Sequence, residues 1–450
     1  MSVEVKVAPG KLPPFWDRNV LFFCNIHSIF YDNEEEAAEL MKQITGAQSY
    51  GGRVMSILNL LFHRGPNKIL LEAPPESSLL DYLSGDLRLS LPGFDVLDHR
   101  GYCELAAKNP SGSDLLIEKL SSQPAAWADG YVTDGMLVKI ADKIKKRTIS
   151  TLAGSKNGNN KYLLYLHQLE KRLPTFETML ASSPGELPAC LRGLRELGYA
   201  KAVVKAQVGA SGYGMVKLET REPALDKVPD YLFFEGPCMV QGWLDQETPG
   251  VERIGSPSVQ MFLSDDTVYL YDWTEQVLSD ESIHEGNRSP PPYIPEHPEL
   301  EEELFRQAGI AGGWLHAQGY RGTASVDFLV IGREGKTKTI VCEINARITG
   351  ATYPAVLARH FMPEGCWSMR NIQFRGALDG GRLLSLMDRA AVLYRPGMEK
   401  GILPFNFNTD AEGKINKGQF LCLGQNQEEC AELLVQAWAE LPVDWSYDRD

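Results

Sequence analysis

The stretch VCEINARITGATYP, residues 341–354, decides how this 450-residue chain is read. Its first half alternates apolar and polar side chains, the pattern of a strand with one buried face. On such a strand Glu343, Asn345 and Arg347 share a face, because side chains repeat with a period of two. A carboxylate and an amide oxygen are hard ligands of the kind Mg2+ takes, and an arginine can grip a phosphoryl group. Just upstream, ASVDFLVI (residues 324–331) predicts the antiparallel partner strand, joined through the turn GREG (residues 332–335). Alone, Asp327 would be the solvent-facing residue of an alternating strand. Across a hairpin from Glu343 it becomes a candidate second metal ligand.

Further back, VVKAQVGASGYGMVKL (residues 203–218) ends an apolar strand on Lys205 and follows it with Gly209, Ala210, Ser211, Gly212, Tyr213 and Gly214. A loop this rich in glycine lets backbone N–H groups approach phosphate oxygens, and the lysine adds a point charge. It does not match the GxxxxGK[ST] phosphate loop, so by itself a flexible hairpin turn is the commoner meaning. Around it the pattern predicts a helix over 161–172 opening at Lys161, a helix over 186–197, and strands over 201–207, 215–219 and 238–243. A polar break over 153–160 precedes them. The last strand runs into MVQGWL (residues 239–244), which carries Gln241, Trp243 and Leu244.

Taken in order, Lys161, Lys205, the glycine-rich loop, the hinge at 239–244, Asp327 and the Glu343, Asn345, Arg347 strand resemble the ATP-grasp superfamily over roughly residues 160–361. The resemblance implies that Lys161, Lys205 and the loop residues Gly209, Ser211, Gly212 and Gly214 contact ATP phosphates. It further implies that Gln241, Trp243 and Leu244 read adenine, and that Asp327, Glu343 and Asn345 hold Mg2+, with Mn2+ an alternative. Two departures stand out. Gln241 replaces the acidic residue that family members often carry, and Ser325 stands where some carry an arginine, leaving Arg288 or Arg347 to meet that charge as the catalytic cation.

The fold expected is α/β and α+β, an ATP-grasp fold behind an N-terminal parallel α/β unit. Residues 1–155 read as that pre-ATP-grasp unit, 156–245 as the small lid, 246–382 as the large subdomain with the metal site, and 383–450 as a C-terminal cap. The family's chemistry implies an ADP-forming carboxylate–amine ligase with small-molecule carboxylate and amino-acid substrates, similar to the peptide ligases of pheganomycin-type pathways. Two alternatives stay open: condensation of an amino acid with a phosphate-activated cyclic enol or ketone, as in mycosporine-glycine formation, and an ATP-binding protein without turnover. On the substrate side, Arg253, Glu275, Gln276 and His284 are candidates to line the cleft. The segment HEGNRSPPPYIPEHP (residues 284–298) is equally a solvated connector. Gly51 and Gly52, ahead of Arg53, either open a helix onto a ligand or pack closely.

Bulk properties agree with a multi-domain enzyme. A formal charge of -14 argues against a nucleic-acid or anionic-membrane partner. Eight cysteines are scattered without a CxxC pair, which points to a reducing cytoplasm rather than a disulfide scaffold. The first residues show no charged-then-apolar leader pattern, and no run approaches the ~20 apolar residues of a membrane span. A homodimer is compatible with these features.

Overall fold

The structure is a computed structural model that describes residues 3–44, 51–107, 114–209, 212, 214–244, 248, 250–278, 284–333, 335–410 and 412–444. An exposed first strand, β1 (Glu4–Val7), leaves its neighbours in sequence and pairs in parallel with a strand of the large sheet. The next five strands are β2 (Val20–Phe23), β3 (Lys68–Leu71), β4 (Gly93–Val96), β5 (Trp127–Gly130) and β6 (Arg147–Thr148). They form a parallel sheet in the order β4-β3-β2-β5-β6. The continuous apolar run VLFF of β2 is buried throughout, as a parallel strand covered on both faces requires. Strands β2, β3, β4 and β6 lie in the short apolar runs NVLFFCNI, KILLEAPP, FDVLDHR and RTISTLAG, whereas WADG of β5 carries little apolar signal.

The predicted break at 153–160 is instead a helix, Leu152–Gly158, capped by the Thr151 side chain. Its glycines serve close packing rather than a turn. A Cβ on Gly154 would lie 2.3 Å from the Tyr320 backbone nitrogen, and one on Gly158 would lie 2.4 Å from Leu315. The helix Lys161–Glu170 follows at once, its N-cap Asn160 accepting from Leu163 N.

The lid sheet has the order β7-β10-β8-β9, from β7 (Thr178–Ala181), β8 (Lys201–Lys205), β9 (Met215–Glu219) and β10 (Cys238–Gly242). Helix Leu187–Glu196 covers one face, where Ala202, Val204, Cys238 and Val240 join its apolar side. The alternate residues, Val203, Lys205, Met239 and Gln241, therefore face the other way.

The large sheet follows: β11 (Val251–Gly255), β12 (Pro257–Leu263), β13 (Thr267–Leu278), β14 (His284–Ser289), β15 (Gly322–Arg333), β16 (Lys336–Asn345), β17 (Cys366–Leu378), β18 (Gly401–Thr409), β19 (Ile415–Gly424) and β20 (Val443–Asp444). Its order is β11-β15-β12-β13-β14-β17-β19-β18, with β16 on β15 and β20 on β17. One face is sealed by helix Glu299–Ala317, with Val326, Phe328 and Trp273 beneath it. The C-terminal segment supplies β18 and β19 and lays helix Gln427–Glu440 over them. A second core runs from Phe22 and Leu58 of the N-terminal unit through Tyr353 to Phe405 and Leu421, so the parallel unit and the far end of the large sheet are buried against each other. The eight cysteines are free, and no helix among the described residues is long and apolar enough to cross a membrane.

Candidate active site

Strands β15 and β16 bring the two acidic candidates together: Asp327 stands opposite Glu343, and Ser325 opposite Asn345. Residues directly opposed in an antiparallel ladder share a face. The phase is not that of a simple alternating strand, because the register slips at Cys342. This bulge turns Ile340 and Glu343, three residues apart, toward the same side.

Asp327 accepts hydrogen bonds from Ser258 Oγ at 2.6 Å and Asn345 Nδ2 at 2.8 Å. Glu343 Oε2 lies 3.0 Å from Lys161 Nζ, which also donates to the Gly209 carbonyl at 3.0 Å. Burial, and then the charge of Glu343, push the Asp327 carboxyl above its usual range. Burial pushes Glu343 up too, but Lys161, Arg347 and Lys205 outweigh it and hold that carboxyl below its ordinary value.

Two half-buried carboxylates thus face each other with Lys161 in ion-pair contact, and a divalent cation between them would relieve their mutual repulsion. No group of three or more His, Cys, Asp or Glu side chains among the described residues could hold a metal unaided. Two carboxylates and an amide still fit Mg2+, which takes few protein ligands and completes its shell with water and substrate phosphates.

The cations converge on the same place. Lys205 stands opposite Met239 and Met215 on the open face of the lid, its Nζ 5.5 Å from the Phe176 ring, and burial lowers its pKa. Arg347 donates from Nη1 to Asn159 Oδ1 at 2.5 Å, while Asn159 Nδ2 reaches Tyr31 OH at 3.1 Å. The loop glycines Gly212 and Gly214 have φ of 85° and 78°, left-handed backbone suited to glycine. Ser211 lies outside the described residues.

Beside the carboxylates, Val251, Ile331 and Ile340 form an apolar patch with Phe176, Leu244 and Leu329. Phe176 and Leu244 come from the lid and the others from the large sheet, so the patch lies between the two. Trp243 lies at its edge with Lys217 Nζ 4.1 Å from its ring centre, and Gln241 donates from Nε2 to Thr178 Oγ1 at 3.0 Å.

Arg288 does not join the set. The ladder runs from Asp327 to Ser258 and Thr274, then through Gln276 to Asn287. Arg288, paired with Glu275 and Ser368, is one residue out of phase and faces away from Asp327. Glu275 is likewise on the reverse face, accepting from Ser256 N and Tyr293 OH. Arg253, opposite Ile331 in the ladder, and Gln276 share the carboxylate face, and Arg253 donates to Ser256 Oγ at 2.8 Å. The side chain of His284 lies outside the described residues.

Sequence reasoning missed Ser258 and Asn159, and it missed a row of amides farther along the carboxylate face. There Asn406 donates to Asn408 and Gln419, and Gln419 to Asn371. Register places these on the face of Asn287, with Lys417 next to them. The alternation in PFNFNTD (residues 404–410) was the available signal.

The fold is the ATP-grasp fold. The chain is similar over 95% of its length to biotin carboxylase from Campylobacter jejuni in an ATP-analogue complex, covering 92% of that chain at 11% identity and a TM-score of 0.58. It is similar over 95% of its length to N5-carboxyaminoimidazole ribonucleotide synthetase from Thermus thermophilus, covering all of that chain at 10% identity and a TM-score of 0.57. A third likeness, to L-amino acid ligase from Bacillus licheniformis, spans 96% of this chain and 99% of that one at 13% identity and a TM-score of 0.52. No family model and no curated protein matches the sequence.

Proposed function

We propose that the chain is an ATP-dependent, ADP-forming ligase that joins a small-molecule carboxylate to the amine of an amino acid or peptide. The observation that carries this is the opposed Asp327 and Glu343, which share a face with an apolar patch and feel the charges of Lys161, Lys205 and Arg347. A protein that only bound nucleotide would need an apolar surface for the base but not paired carboxylates set among three cations. The likeness to an L-amino acid ligase supports the choice of amine.

In this account the purine lies among Phe176, Leu244, Leu329 and Ile331, and Lys161 and Lys205 hold phosphate oxygens. Asp327, Glu343 and Asn345 hold Mg2+, which when bound spreads the charge of the transferring phosphoryl group. A substrate carboxylate oxygen attacks the γ-phosphorus, breaking its bond to ADP and giving an acyl phosphate. The amine nitrogen then attacks the acyl carbon, loses a proton and expels phosphate. Arg347, held by Asn159, is placed to neutralise the migrating group, so positioning and charge rather than a protein nucleophile supply the rate. Beside the buried amide row, Lys417 and Arg53, cations close enough that Arg53 lowers the Lys417 pKa after burial has done so, would meet the charge of an acidic substrate.

The test is release of ADP and phosphate by the full chain with ATP, Mg2+ and a panel of small carboxylates paired with amino acids. Paired release with an amide-mass product is expected for at least one pair. A product mass that fits an enamine or imine would replace the amide by a condensation. Tight ATP binding with no release from any pair would make the protein a binder.

A further inference from the structure

Two more buried carboxylates lie where the lid meets the N-terminal unit. Glu36, on helix Glu34–Ile44, is 1% exposed; its Oε2 accepts from Asn33 Nδ2 at 3.1 Å, while Oε1 is buried with no hydrogen-bond partner. Glu235, just before β10 of the lid, has both carboxylate oxygens buried and unpartnered. Gly214 sits directly on Glu36. A Cβ at Gly214 would lie 2.7 Å from Glu36 Oε1, and Val208, at the root of the loop, is packed among Ile29, Phe30, Tyr31 and Val132 of the N-terminal unit. Asn33 Nδ2 also donates across the boundary to the Tyr231 carbonyl at 3.2 Å.

The cations in range do not neutralise the pair. Lys161 is already held by Glu343 and Gly209, and among the described residues neither it nor Lys156 makes an ion pair with Glu36 or Glu235. The other titratable groups facing the pair are Tyr231 and Cys238, both with pKa values raised, first by burial and then by these glutamates. On the helix itself Glu35, Glu39 and Lys42 act on Tyr231 from farther out. Unpaired carboxylates this buried are costly when both are ionised.

We propose that Glu36 and Glu235 form a proton-dependent latch that docks Val208, Gly214 and the lid on the N-terminal unit, tight while the pair holds protons and weakened once both are ionised. Glu36 is pushed up to about 8 by burial and the Glu235 charge, against Lys161. Burial takes Glu235 up to about 7, against a backbone N–H, Lys156 and Lys161. In the undocked state both return toward the ordinary glutamate value of about 4.3. Docking therefore binds protons, weakens as pH rises through the interval between the undocked and docked values, and levels off above about pH 8.

The latch is tested on the ATP-free full chain, so it does not depend on the ligase reading. Amide exchange, corrected for its intrinsic pH dependence, is followed at Ala206 to Val208 and along residues 34–39 between pH 6 and 9. The wild type should lose protection about tenfold or more, a proton-linked shift of at least one pKa unit. Both E36Q and E235Q, near-isosteric and checked by thermal melts, should keep most of that protection at pH 9. Equal pH dependence in the wild type and both variants overturns the latch, as does wild-type protection that stays flat. Recovery of wild-type protection at pH 9 on adding K+, absent with a bulky organic cation at equal ionic strength, would replace the shared proton by a bound metal ion and overturn it as well.

Discussion

Lys161 Nζ spans two groups that belong to different parts of the proposed site, the carbonyl of Gly209 and the carboxylate of Glu343. In the proposed site a lysine that turned to phosphate oxygens would release Glu343 to a metal ion, so one side chain would link nucleotide arrival to metal binding. Glu343→Gln should lower Mg2+-dependent turnover by about a hundredfold or more. Its melting temperature should stay near that of the wild type, because an amide relieves the repulsion with Asp327; near-normal turnover would remove Glu343 from the metal set.

A purely structural pair makes the contrast. Asp272 accepts from Arg359 Nε and Nη2, Trp367 Nε1 and Ser289 Oγ, all buried. Arg359→Met should cost about 3–5 kcal/mol in denaturant melts, since it strands a buried charge. At this scale the sequence was legible where chemistry clusters along the chain, as at Glu343, Asn345 and Arg347. Asp272 and Arg359, like Arg347 and Asn159, meet only through the fold, and no local pattern announces them.

Strands and helices were read more reliably than their phases. The helices at 161 and 187 and the hairpin of β15 and β16 follow from periodicity, with a side-chain cap at Asn160. The bulge at Cys342 does not, yet it turns Ile340 of the apolar patch and Glu343 to one face. Arg288 was misplaced for the same reason: facing is fixed by ladder register, which a strand end next to a proline run does not reveal. The helix Leu152–Gly158 was read as a break because its glycines suggested a turn, when they mark close contact with Tyr320 and Leu315.

Gly154→Ala should therefore destabilise the protein by about 1–3 kcal/mol, the range for overpacking, because the clash is with backbone. An unchanged urea midpoint would show that the helix can shift freely. Deleting Gly209 and Gly212 should act the other way round. Turnover should fall at least about tenfold while the melting temperature moves little, because a loop that closes over phosphates contributes to exclusion of water more than to the core.

Across the whole molecule, the ATP-grasp order of motifs suggested the proposed site, and the structure adds how its parts are held together. The parallel unit shares a core with β17 to β19 and lends Tyr31 to the Asn159 and Arg347 chain, so it borders the proposed site rather than standing apart. Composition could not show this, because burial between units looks like burial within one. The central claim is that Asp327 and Glu343 form the metal pair of a nucleotide site completed by Lys161 and Lys205. Calorimetric binding of a non-hydrolysable ATP analogue, with Mg2+ and with EDTA, tests it most directly. The account predicts binding that is at least about tenfold tighter with Mg2+ in the wild type, with that gain lost in Asp327→Asn/Glu343→Gln; an equal gain from Mg2+ in the double variant would contradict it.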